Sequence, residues 1–388
     1  MGSSSIDIQE MVRDTRERLE ADFSKLDTKI QRFPQGLRPG VEECYIIPSF
    51  MSLGPYHHGS PHLRETEELK HAAAHYFCEM CGHSVAHVYD KILHIAGEAR
   101  SCYAHDAVTK FTDAEFAGYL SVRESASLVG VLEALMDFLT PCPVYKFVHK
   151  MEKYFYITRS PSSLYSNTRV HVDELKKYKP PHLLGLFRYS QLGNMTNIDL
   201  VKNCTCQSSS SAIELAEIGI KLTASSKTGL ADMSVQRGCL FGQLSLTALF
   251  VNNFTACWLV NMASYEACVS TTYPSDGFII SSYISFLAML MDKEEDVHEL
   301  RAKHIVRSFF SNTGLLVFFK GLATHLRLRR HYFVITSKIS KFKHERPVSI
   351  AVHRFVYKNF KTIVTVLSIG GVLAGIFRTL MSLKQHQS

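Results

Sequence analysis

Apolar residues recur every seventh position at Val12, Leu19, Leu26 and Phe33, with Ile8 and Ile30 on the same side. That spacing predicts an amphipathic helix over residues 6–33, charged on its other faces. Its stripe suits packing on its own domain, or a partner helix in a short coiled coil. Pro34, Gly36, Pro39 and Gly40 stop the helix. Residues 45–61 read as extended and turn-rich, punctuated by Pro48, Gly54, Pro55, Gly59 and Pro61. Helical periodicity resumes over 63–94, 113–139 and 142–157. Residues 158–181 are polar and rich in Pro and Ser, a candidate seam, and CTCQSSSS at 204–211 is a second linker before a helix over 211–218.

Between 217 and 251 the runs GIKLTAS and CLFGQLSLTALFV alternate apolar with polar, as a small antiparallel sheet requires. Helices return over 255–267, 279–291 and 294–330. No repeat of solenoid period is visible. The fold class expected is α+β, mainly α-helical with a small antiparallel sheet, plus a C-terminal transmembrane helix.

That last element rests on TIVTVLSIGGVLAGIF at 362–377, 16 residues without a charge. As a helix it is about 24 Å long, against a hydrocarbon layer of ~30 Å. With Arg378 snorkelling to the interface the segment extends over 362–383, about 33 Å, which suffices to cross. A buried core helix is disfavoured by the strongly basic stretch before it, and an amphipathic surface helix by its lack of a charged face. Gly371 and Gly375 make a GxxxG spacing that permits self-association.

With 388 residues, 46% hydrophobic and 20% charged, the chain has the balance of a folded protein of one large or two ordinary domains. The net charge of +7 is local: residues 320–361 hold eleven Lys or Arg against one acid, Glu345. The other 32 bases face 35 acids, so the remainder stands at −3. This is no nucleic-acid footprint. It is a basic segment beside an oily one, with Lys358 and Lys361 before the run and Arg378 after it. The positive-inside bias then leaves the body in the cytosol, with a lipid bilayer as one partner and the plasma membrane favoured. The opening MGSSSIDIQEM lacks the pattern of a secretory signal, and ten irregularly spaced cysteines read as reduced thiols.

The cluster HAAAHYFCEMCGHSVAH carries the strongest hint of chemistry, with His71, His75, Cys78, Cys81, His83 and His87 in 17 residues. Imidazole and thiolate suit zinc, and His71 with His75 share a helix face. Yet all six fit one continuous helical stretch, and a single helix does not wrap a tetrahedral ion. Ordinary helix and core positions are the favoured reading. His57 and His58 sit in a Pro/Gly turn without a partnered nucleophile motif, and there is no GxSxG, HExxH, P-loop or dinucleotide glycine pattern. Asp292, Glu294, Glu295, Asp296 and Glu299 gather at a helix start, where the dipole favours them. No catalytic residue and no cofactor are expected.

The stretch FPQGLR, then Tyr45, Pro48 and LGPYHHG (Leu53, Gly54, Pro55, Tyr56, His57, His58, Gly59), resembles the opening block of the plant domain-of-unknown-function 247 family. Glu67 and Lys70 match its next helix, although Thr66 stands where the family usually has Met. HLLGLFR (182–188), SAIELAEIGIKL (211–222), NMASYEAC (261–268, with Asn261 and Glu266) and SSYISFLAMLMDKEEDVHELRAKHIV (281–306) resemble its later blocks in order. Two blocks depart: Arg123-Glu124-Ser125-Ala126 replaces Asp-Gly-Cys-Phe, and residues 138–143 replace Leu-Glu-Asn-Gln-x-Pro. The resemblance implies a family domain over 34–337 behind the 1–33 helix, then a basic juxtamembrane segment over 338–361 and the transmembrane helix over 362–383. It also implies a membrane-anchored, non-enzymatic recognition protein with an unknown protein partner, since certain grass members act in self-incompatibility. The alternative is a metal-binding protein or enzyme using the His/Cys-rich 57–87 region.

Overall fold

The computed structural model describes residues 11, 13–18, 29–52, 54–123, 148, 183–192, 210–225, 229–238, 241–269, 278–326 and 330–386. The candidate seam at 158–181 lies outside the described residues. So do the linker at 204–209 and, Val148 apart, the expected helices beyond residue 123. Of the expected 6–33 helix, residues 13–18 are helical. By Ile30 the helix has ended, because that residue forms a parallel β-bridge with Tyr103.

Four helices follow a run of short 3₁₀ turns: α1 (Glu67–Cys81), α2 (Val85–Ser101), α3 (His105–Val108) and α4 (Asp113–Arg123). The single helix expected over 63–94 is therefore broken. Gly82 takes φ +66 and returns its N–H to the carbonyls of Cys78 and Glu79, which closes α1 in a left-handed cap. Ser84 then starts α2 by accepting from the His87 backbone N–H. Val88, Ile92, Ala96 and Ala99 fall three or four apart on α2 and meet Phe116, Ala117 and Leu120 of α4 in a small core.

A larger core gathers the later elements: α5 (Leu183–Leu192), α6 (Ala212–Glu217), β1 (Ile220–Ser225), β2 (Ser234–Arg237), β3 (Gly242–Thr247), β4 (Leu249–Val251), α7 (Asn253–Val269), α8 (Ile279–Leu290), α9 (Glu294–Ala302), β5 (Val306–Ser308), α10 (Asn312–Ala323), α11 (Arg330–Glu345) and α12 (Pro347–His386). At its centre lies α8, in which every residue except Met289 is buried. Burial on every side, Ser281, Ser282 and Ser285 included, suits a helix enclosed by α7, α10 and α11.

The sheets differ from the expected antiparallel arrangement. One is mixed, in the order β1-β3-β2: β1 runs parallel to β3 from Ile220 opposite Gly242, and only β2 is antiparallel to β3. The other pairs β4 with β5 in parallel, Leu249 opposite Val306. Alternation makes Ile220, Leu222, Leu244 and Leu246 face the core, but alternation carries no strand direction. The helix expected over 294–330 is also interrupted. It ends at Ala302, His304 adopts φ +57, and Val306 enters β5 before Ser311 caps α10 through the Gly314 N–H. A strand slot beside β4 thus overrides the helical pattern.

Candidate functional site

Pro347 opens α12, where a missing N–H costs nothing and the fixed φ suits a helix. The helix runs for 40 residues, about 60 Å. Among the described residues, Pro347–Thr379 is long and apolar enough to cross a membrane, and none of its apolar window is buried. Val366, Leu367, Ile369, Val372, Leu373 and Phe377 stand 56–69% exposed. So large an unpartnered apolar surface marks an interaction site. Arg378 is exposed, as are Lys358 and Lys361, with two to three turns separating each of these lysines from the centre of the run.

The other end of α12 is docked. Ile350 packs against the larger core, and His353 Nδ1 lies 3.0 Å from the Glu217 carbonyl oxygen. The Glu217 carboxylate faces Arg354 at 3.7 Å and Lys358 at 3.4 Å. Phe241 and Tyr357 flank the His353 ring, edge-on and stacked respectively. A Cβ added at Gly219, which sits at φ +85, would meet the His353 ring at van der Waals distance. Sequence reasoning named neither Glu217 nor His353. One signal was present: Glu217 ends α6, where the helix dipole disfavours an acid unless cations answer it.

The basic stretch is divided rather than continuous. In α11, Val334, Ile335, Ile339 and Phe342 are buried. Lys343 is held beside the Ser210 hydroxyl, and burial pulls its ammonium below the ordinary lysine range. Glu345 pairs with Arg237 at 2.8 Å and Lys341 at 3.7 Å, and Arg346 donates to the Gly238 carbonyl. Arg354, Lys358 and Lys361 remain on the exposed surface of α12.

The family-block residues meet across long stretches of chain. Tyr45 is buried in the larger core, its ring edge-on to Phe318. Burial, with Glu42 nearby, pushes its hydroxyl up to about 12. Its carbonyl accepts from Asn261 Nδ2 at 3.1 Å and from the Cys257 thiol. Eleven positions on, Tyr56 donates to the Ile30 carbonyl at 2.7 Å, sits under Arg32 and meets Tyr103 edge-on beside the smaller core. Pro55 is buried, the His58 ring leans on Phe111, and Gly59 turns the chain at φ +75. The Pro48 carbonyl lies 3.1 Å from His62 Nε2. His57 is partly buried; burial and then the nearby His62 and arginines lower its pKa. This block therefore ties one core to the other. Gly54 is half-buried and extended.

Glu266 organises the start of α8. Its Oε1 accepts from Arg188 and from the Ile280 N–H, and its Oε2 from the N–H and hydroxyl of Ser281. Three family blocks converge there: 182–188, 261–268 and 281–306.

His71 and His75 are exposed on α1, and His75 lies 3.8 Å from Glu79. Cys78 turns into the smaller core, while Cys81 is half-buried. Burial raises both thiols, and at Cys81 the neighbouring Cys78 adds to the rise. His83 lies in the turn after α1, and His87 belongs to α2. Among the described residues no group of three or more His, Cys, Asp or Glu is placed to hold a metal ion.

A family model described as a plant protein of unknown function matches residues 30–122 and 129–374. No curated protein and no solved structure matches the chain.

Proposed function

We propose a role for this chain from one premise: it belongs to the plant domain-of-unknown-function 247 family. In this reading α12 crosses a bilayer, and the two-core body stands on its cytosolic side as a non-enzymatic recognition module for a protein partner. The observation that carries it is the zero burial of the apolar window in α12, on a helix whose first turns are fixed to the body. An 18-residue apolar surface left in water is costly, at roughly 25 cal/mol per Å². Lipid removes that cost without asking the body to refold.

The orientation follows from charge. Lys338, Lys341, Lys343, Arg346, Arg354, Lys358 and Lys361 precede the run, and Arg378 and Lys384 follow it, so the body side carries the excess. Recognition in self-incompatibility, as in certain grass members of the family, is the finer form of this proposal. The family blocks support a scaffold more directly than a catalyst. Tyr45, Tyr56, Asn261 and Glu266 are each engaged in holding chain segments together.

The test is affinity capture from membranes, with the full chain beside a chain ending at Lys361. The reading requires the full chain to stay in the pellet after alkaline carbonate and the shortened chain to leave it with its partners kept. Full-length protein in the wash would refute the anchor. Loss of every partner on truncation would move recognition from the body to the tail.

A further inference from the structure

Resting on that membrane reading, we infer that the first turns of α12 form a headgroup-binding collar, which presses the body against the anionic leaflet. Among the described residues, the ion pair nearest the uncharged run joins Lys358 to Glu217, four residues before Thr362. Four residues of helix advance about 6 Å. The headgroup layer on each side of a bilayer is about 5–7 Å thick. A body held at Lys358 therefore reaches the headgroups with no water layer between. The link is stiff, since residues 348–369 contain neither glycine nor proline to bend it.

The chemistry at that depth fits phospholipid headgroups. Arg354 and Lys358 share one carboxylate, Glu217, whose side chain is only 20% exposed, while their own are 52% and 57% exposed. Lys361 follows one turn further down, exposed. Three cations against one acid leave a surplus of two, aimed at phosphate and carboxylate groups of the leaflet. Between them stands Tyr357, 44% exposed, the ring type that settles at the membrane interface, with Phe355 and Phe360 exposed beside it as apolar surface. Glu217 acts as the internal competitor for Arg354 and Lys358, while the packing of Ile350 and the contact of His353 with the Glu217 carbonyl keep the body docked whichever partner those cations take.

The experiment places the full chain in phosphatidylcholine bilayers with traces of spin-labelled phosphatidylserine or spin-labelled phosphatidylcholine. The fraction of each label slowed at the protein surface is compared. The collar requires a preference of about threefold or more for phosphatidylserine, weakening with salt. Replacing Arg354, Lys358 and Lys361 together by Gln brings the ratio towards one, and Glu217→Gln raises it. Arg237→Gln, which removes one positive charge from the Glu345 pair instead of the collar, serves as a control for charge loss elsewhere on the body. Equal slowing of both labels, or a preference that survives the triple replacement, overturns the collar. Failure of the span reads differently: the protein then leaves the bilayer in alkaline carbonate, whatever the label ratio.

Discussion

Arg188 and Glu266, 78 positions apart, form a buried ion pair in which Nε and Nη2 both donate to Oε1, at 3.0 and 2.9 Å. The same carboxylate takes the backbone N–H groups of Ile280 and Ser281, which open α8. Because α8 is the centre of the larger core, the pair sets where that core begins.

Removing the charge from Glu266 leaves the Arg188 guanidinium buried without its carboxylate. Glu266→Gln is expected to cost about 3 kcal/mol, the low end for breaking a buried pair. Arg188→Met with Glu266→Gln is expected to recover part of that, because the uncompensated guanidinium is gone and the amide oxygen still accepts at the start of α8. Urea midpoints of the three proteins check both statements, and a loss below about 1 kcal/mol in the single variant speaks against the pair's role.

Gly40 and Gly321 are another long-range meeting. A Cβ on Gly40 would lie 2.6 Å from the Gly321 carbonyl oxygen, and one on Gly321 would collide with the Gly40 carbonyl oxygen. Gly321→Ala is expected to lose about 1–3 kcal/mol by overpacking backbone against backbone. Gly36→Ala, with open space around it, is expected to be near neutral. Thermal unfolding separates the two, and equal melting temperatures would remove the close approach as a constraint.

Tyr45 predicts an alkaline weakness. Its hydroxyl ionises near 10 in an unfolded chain and at about 12 in the fold, so between these values the native state holds the extra proton. Stability is then fully present below pH 10 and falls as the pH rises towards 12. Tyr45→Phe is expected to flatten that part of the profile. A variant whose stability declines as steeply as the parent's across this window would assign the loss elsewhere.

A charge in the middle of the span opposes insertion. Leu373→Arg is expected to disfavour the membrane by ~2.5–3.5 kcal/mol, enough to shift much of the protein into the carbonate wash. The same change at Phe309, an 83%-exposed position on the body, leaves the distribution unchanged. If both variants pellet alike, the helix is held by something other than lipid.

Zinc analysis bears on the rival reading of the His/Cys region. With Cys78 in the smaller core and its thiol raised by burial, purified protein is expected to carry far less than one zinc per chain. Stoichiometric zinc that disappears in Cys78→Ala and Cys81→Ala would establish a metal site and reverse this expectation.

Much of the fold was written in short-range patterns. Ser211 with Glu214, Ser84 and Ser311 are local capping residues that fix where α6, α2 and α10 begin. Pro347 and the apolar run after Lys361 settle α12 without help from the rest of the chain. The family blocks, too, stand in the residues themselves, which is why the membership was legible.

Direction and partnership were not. The strand alternation that exposes Lys221 and buries Leu222 is the same for either direction, so the parallel pairing of β1 with β3 awaited the packing around α6. The helical pattern over 294–330 lost to the slot beside β4, since β5 pairs the β4 backbone, which a continuous helix would leave unpaired. Asn261 finds the Tyr45 carbonyl across 216 positions, and Glu217 finds Lys358 from the other side of the sheet sequence. Local sequence determines which residues can turn, coil or dissolve in lipid, because those preferences act over one or two helical turns. Which carbonyl an amide reaches, and which carboxylate a lysine answers, is decided only when distant segments share one core.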